Sequence, residues 1–185
     1  SIGSDICMIL DECPPYPCQH DYAENSLTLT QKWATKAREW IEANRPQGQR
    51  YFGIVQGACY PELREKAALD LVDLDFDGYA IGGLSVGEPM PDMLKAVDVA
   101  APILPENKPR YAMGLGQPDQ LLELVSRGVD MFDCVLPTRV ARNGTAYTPE
   151  GTINLKNAKW ERSRELLAPE GRTHPLCEGF SKGYI

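Results

Sequence analysis

Tyr51-Phe-Gly-Ile-Val-Gln-Gly57, followed by Pro61-Glu-Leu-Arg-Glu65, is the stretch that decides the fold. The apolar run from Tyr51 to Val55 predicts a buried strand, and Gln56-Gly57-Ala58 ends it on a polar turn. Pro suits the first helical turn, where its missing N–H costs nothing, and Glu suits the positive end of the helix dipole. The pattern predicts a helix from Pro61 to about Leu74. A strand that closes on a polar group and hands over to a helix is one β/α unit.

The unit recurs in both directions. Upstream, Ile6-Cys-Met-Ile-Leu10 predicts a strand buried on both faces and stopped by Asp11-Glu-Cys-Pro-Pro15. Pro14, Pro15 and Pro17 make the next segment a loop, and a helix follows with Ser26 or Thr28 as its cap and Leu29, Trp33, Ala37, Trp40 and Ile41 on its core face. Downstream, Gly78-Tyr-Ala-Ile81 runs into Gly82-Gly-Leu-Ser-Val-Gly87 and a helix from Met90 to Ala100. Arg110-Tyr-Ala-Met113 runs into Gly114-Leu-Gly116 and a helix opened by Pro118-Asp119, and Met131 to Leu136 is the fifth strand.

Asp11, Gln56, Gly83, Gly114 and Asp133 stand at the ends of these strands. Polar groups shared among every strand end favour an α/β fold of the (β/α)8 TIM-barrel type over a doubly wound sheet, which usually carries one dominant glycine-rich phosphate turn. Eight units need about 250 residues. With five visible, the expectation is a partial TIM-barrel catalytic domain over residues 1–143. Residues 144–185 are expected to hold a short hairpin, Thr145–Thr148 with Thr152–Leu155, and a polar helix over 157–167. In the tail, His174 and Cys177 are three apart, either half of a metal site or part of a surface loop.

Composition bounds the function. The chain is 43% hydrophobic and 24% charged, as in ordinary globular proteins, and its formal charge of -7 argues against a uniformly basic nucleic-acid coat while permitting a local basic patch. Six cysteines at 7, 13, 18, 59, 134 and 177 fall mostly in apolar runs without the spacing of a secreted disulfide framework, which predicts a reducing, cytoplasmic setting. No apolar run approaches a membrane span, and the first residues lack the order of a signal peptide.

Val129-Asp-Met-Phe-Asp-Cys-Val-Leu-Pro-Thr-Arg139 carries the most chemistry. Asp133 reads as the one charge inside an apolar strand that Pro137 ends, with Arg139 and Arg142 following at once. A carboxylate beside cations that can hold phosphates suits chemistry on a nucleotide. A structural Asp capping a turn, and arginines in surface charge pairs, are the alternatives.

At Asp11-Glu-Cys-Pro14, Gly53-Ile-Val-Gln-Gly57, Gly82 to Gly87, Met113-Gly-Leu-Gly116 and Phe132 to Arg139, the chain resembles the tRNA-guanine transglycosylases, and the likeness continues through Arg142-Asn-Gly144 to Ile153-Asn-Leu-Lys-Asn-Ala158. The resemblance implies a TIM barrel with a zinc-binding subdomain, a pentosyltransferase that exchanges guanine at the wobble position of the tRNA anticodon loop for a 7-deazaguanine precursor of queuosine. It makes Asp133 the nucleophile at the ribose C1′. Asp11 would bind the base N1–H and exocyclic amine, Gln56 and the Gly83 N–H its carbonyl, and the Leu84 carbonyl the incoming base. Met113 would pack on the base face and Cys13 would line the pocket wall. Arg139 and Arg142 would contact tRNA phosphates. Val86 with Cys13 implies the bacterial type, which takes the base preQ1.

Departures from the family pattern qualify this. A second catalytic aspartate is expected well upstream of the Asp11 motif, and the three zinc positions ahead of Ser181-Lys-Gly-Tyr-Ile185 hold Arg172, His174 and Cys177. Gln117 stands where a lysine contacting tRNA is common. The sequence therefore reads as a family member lacking its N-terminal part and zinc-site C-terminus. One version is a cut or split enzyme whose N-terminal half or second copy completes it; the other is a non-catalytic relative that binds tRNA or a partner subunit.

Overall fold

The computed structural model describes residues 3–44, 47–148, 151–167 and 179–184. The chain divides into two compact units, Ser1–Cys134 and Val135–Ile185.

The first unit runs β1 (Ile6–Met8), α1 (His20–Asn44), β2 (Arg50–Val55), α2 (Pro61–Asp73), β3 (Gly78–Ile81), α3 (Met90–Ala100), β4 (Arg110–Ala112), α4 (Pro118–Val125) and β5 (Met131–Phe132). Its strands pair in the order β1-β2-β3-β4-β5, all parallel. Each strand lies beside the next in sequence, as in a partial (β/α) barrel. A doubly wound sheet would reverse its order at a switch point.

The central strands β2 and β3 are buried from Tyr51 to Val55 and from Gly78 to Ile81. Phe52 lies over its register partner Gly78, where an added Cβ would come within 2.4 Å of the ring. Aspartates pin the strand starts: Asp77 accepts the Tyr51 N–H and Asp130 the Arg110 N–H, both at 2.9 Å.

Four expectations for this unit need correction. β1 is shorter than predicted and is not buried on both faces, because it is an edge strand here; Leu10 is 71% exposed. Helix α1 starts at His20, and neither Ser26 nor Thr28 caps it. Its first turns bury Ala23, Ser26, Leu27 and Thr30, a face of small and hydroxyl side chains that resembles a cap in sequence. The fifth strand stops at Phe132 instead of reaching Leu136. Trp40, expected in the core, is 52% exposed, with its ring edge against Tyr51.

In the second unit α5 (Leu136–Arg142) precedes an antiparallel hairpin of β6 (Thr145–Thr148) and β7 (Gly151–Asn154). Pro137 therefore opens a helix instead of ending a strand, the use its locked φ favours. Residues 157–167 do not form the expected helix. They contain one 3-10 turn, Ala158–Trp160, and the carbonyls of Ser163 and Glu165 accept from the Gly183 and Lys182 amides. The Trp160 ring has the Lys159 and Lys182 ammonium groups at 4.4 and 4.6 Å from its centroid. No helix among the described residues is long and apolar enough to cross a membrane.

Candidate active site

Asp11, Gln56 and Gly83 follow β1, β2 and β3 and come together at the C-terminal ends of those strands. Gln56 is 1% exposed and donates from Nε2 to Asp11 Oδ2 at 2.7 Å, while its Oε1 is buried with no hydrogen-bond partner. Gly83 has φ +64, and a Cβ there would sit 2.6 Å from Gln56 Oε1. Only glycine meets both conditions. Leu84 is buried, and the turn behind it is closed by Glu88, whose carboxylate accepts the Ser85 and Val86 N–H groups at 2.5 and 2.8 Å.

The loop bearing Asp11 and Cys13 is tied to α1. The Glu12 N–H donates to Thr30 Oγ1 at 2.9 Å, and Ser26 Oγ donates back to the Glu12 carbonyl at 3.3 Å. Cys13 is exposed; partial burial of its thiol and then the nearby Asp11 carboxylate raise its pKa, so at neutral pH it is a thiol and not a thiolate.

β4 and β5 hold a second group. Asp133 lies just past β5 and is exposed, so it is not the buried interior charge that the apolar run suggested. The chain leaves the sheet at Phe132, and the carboxylate is satisfied instead of orphaned. Tyr111 Oη donates to its Oδ1 at 2.6 Å and the Gly114 N–H donates to the same oxygen at 2.8 Å. These bonds, Tyr111 first, hold the Asp133 pKa below the usual carboxylate range. Burial and then Asp133 push Tyr111 up to about 12, so it remains a donor at neutral pH. Met113 is partly buried against the core.

Sequence reasoning missed two residues of this rim. Tyr111 stands two residues before Met113, the spacing that shares one face of a strand. Arg64 lies in register with Ala67, Ala68 and Leu71, on the buried stripe of α2. That placement of a cation was the available signal.

Arg139 and Arg142 belong to the second unit, exposed in the last turn of α5. A cavity of about 350 Å³ in that unit is lined by residues that include Arg142, Gly144, Leu155 and Lys156. The zinc positions Arg172, His174 and Cys177 lie outside the described residues. Arginine offers no lone pair, so this donor set falls short of the four ligands of a closed zinc site.

Successive parallel β/α units with polar side chains gathered at the strands' C-terminal ends define a barrel-type protein with a functional rim. Comparison of the sequence then identifies the kind: the chain belongs to the queuine tRNA-ribosyltransferase family, whose model matches residues 1–185. It is 53% identical over 186 residues to the queuine tRNA-ribosyltransferase of Bacillus velezensis. It is 51% identical over 185 residues to those of Bacillus subtilis and Oceanobacillus iheyensis. All of this chain and 48% of each relative are covered, so the chain spans about half the length of the curated relatives it matches.

Proposed function

We propose that this chain supplies the base-binding rim and the nucleophile of a tRNA-guanine transglycosylase, which exchanges guanine at the anticodon wobble position for preQ1. The observation that carries the reading is the Asp133 carboxylate, held ionised by Tyr111 and Gly114 at the rim of a chain from this family.

Asp133 attacks the ribose C1′ through Oδ2, since both donors fall on Oδ1. The C1′–N9 bond breaks with its electron pair going to guanine, and the tRNA is held as a glycosyl ester, as in retaining glycoside hydrolysis. N9 of the incoming base then attacks C1′ and releases the carboxylate. Asp11 accepts from the base N1–H and exocyclic amine, while Gln56 and the Gly83 N–H hold its carbonyl. Leu84 offers its carbonyl to the incoming base, Met113 packs on the ring, and Cys13 lines the wall. Proton transfers to the departing base and from the incoming one are assigned to a second carboxylate upstream of the Asp11 motif, and no step is assigned to a metal.

The target base must leave the anticodon stack, which costs a few kcal/mol. Phosphate contacts from Arg139 and Arg142 offset part of that cost. Charge distribution supports this division: residues 135–185 carry eight Lys and Arg against five Asp and Glu, while residues 1–134 carry eleven against twenty-one.

The test is exchange of radiolabelled guanine into tRNA by the complete protein, with acid-stable trapping of tRNA on the protein. Label incorporation and a covalent adduct that both vanish in Asp133→Asn are expected; incorporation that survives the substitution sinks the assignment. Residues 1–185 alone are expected to exchange no guanine, which the same assay reads. A partial barrel with open edges is further expected to self-associate or to be marginally stable, and a cooperative monomeric thermal transition counts against that.

A further inference from the structure

Arg64 is 0% exposed, yet its hydrogen-bond acceptors are all neutral. Its guanidinium donates from Nε to the Ala58 carbonyl at 2.7 Å, from Nη1 to the carbonyls of Val55 and Gly82 at 3.2 and 2.6 Å, and from Nη2 to the Gly83 carbonyl at 3.2 Å. None of these acceptors is a carboxylate. Burial pushes its pKa down to about 10, which leaves it charged at neutral pH. Glu88 is felt only through space, and a buried cation with no carboxylate among its hydrogen-bond acceptors is costly; an apolar side chain would serve helix packing better. What the cation adds is control of backbone direction.

In a trans peptide the carbonyl and the N–H point opposite ways. Holding the Gly82 carbonyl therefore aims the Gly83 N–H away from the buried guanidinium, and holding the Gly83 carbonyl does the same for the Leu84 N–H. Consecutive glycines are the backbone positions freest to rotate, and Gly83 already has φ +64. The Val55 and Ala58 carbonyls bracket Gln56 in the same grip. One side chain thus fixes both segments that form the wall, those flanking Gln56 and Gly83.

We propose that Arg64 is a positioning residue for base recognition: its guanidinium locks the 82–83 and 83–84 peptides and the turn after β2, so that the Gly83 N–H and the Gln56 amide are presented to the base carbonyl. This rests on the reading of the rim as a guanine-exchange site. It goes beyond that reading by assigning recognition to a residue that never touches the base.

The test uses the complete protein with Arg64→Lys and Arg64→Met. Losing one well-aimed hydrogen bond in a buried site corresponds to about a tenfold loss. The KM for free guanine is expected to rise about tenfold in Arg64→Met and by less in Arg64→Lys, with the KM for tRNA and the kcat at saturating guanine changed less than about twofold. A purely structural arginine would lower the active fraction, and with it kcat and the melting temperature, at unchanged KM for guanine; that result overturns the proposal. If Arg64→Met does not fold, the charge-keeping Arg64→Lys alone decides, since it is still expected to weaken guanine binding. Calorimetric titration with free guanine separates the two failures. Wild type that binds guanine without exchanging it refutes the exchange reading and leaves Arg64 testable by affinity, whereas equal affinity in wild type and variants refutes the role of Arg64.

Discussion

The β2–β3 end of the rim and the β4–β5 end use opposite means to hold polar groups. At the first, Gln56 and Arg64 are buried at 1% and 0% exposure, Gln56 donating to Asp11 and Arg64 to four backbone carbonyls. At the second, Asp133 is exposed and held by two donors on one oxygen. A recognition wall gains from burial, because each hydrogen bond lost there leaves a group unpaired away from water. A nucleophile must stay ionised and reachable, and burial would raise its pKa. Under the proposed function, the contrast means that recognition is built into the core, while reactivity is mounted on its edge.

The contrast can be broken from either side. Asp133→Asn is expected to lower exchange by at least about 10³-fold with little change in melting temperature, since an exposed side chain contributes little to packing. Gly83→Ala should do the reverse in proportion. Its positive φ and the approach to Gln56 Oε1 cost about 1–3 kcal/mol in denaturant unfolding and raise the KM for guanine. A neutral Gly83→Ala would show that the wall is not rigid.

Tyr111→Phe sharpens the other end. Asp133 has a depressed folded-state pKa, so its bonds favour the folded state above about pH 4 and are lost as pH falls through the folded value. Removing the Tyr111 hydroxyl takes away the largest cause of that depression. The acid limb of the pH profile of kcat/KM should then move to higher pH, with exchange at neutral pH reduced only severalfold. An unmoved limb would detach Tyr111 from the nucleophile.

Much of this was legible in the chain. A run such as Tyr51 to Val55 followed by Gln56-Gly57 announces both a strand and its functional end, because apolar side chains bury while polar ones collect where the sheet stops. Order among parallel units followed from the alternation with helices. The surroundings of Asp133 were not legible: Cys134-Val-Leu136 continues the apolar run, and only three-dimensional pairing reveals that the chain leaves the sheet at Phe132. The start of α1 was hidden for a related reason, since Ser26 and Thr28, like Thr30, are hydroxyl residues used inside a helix. Arg64 was overlooked because a cation on an apolar stripe makes sense only once four carbonyls are seen converging on it.

Those hydroxyls carry a dynamic consequence. With Pro14, Pro15 and Pro17, the segment after β1 should move as a loop, yet Glu12 is pinned through its own amide and carbonyl to Thr30 and Ser26 on a 25-residue helix. In hydrogen-exchange terms the Glu12 amide should be protected like a helical one, opening only when α1 itself opens. Thr30→Val should return it to loop-like exchange and cost about 1 kcal/mol. Asp11 next to it therefore shares the timescale of the helix instead of that of the loop that carries it.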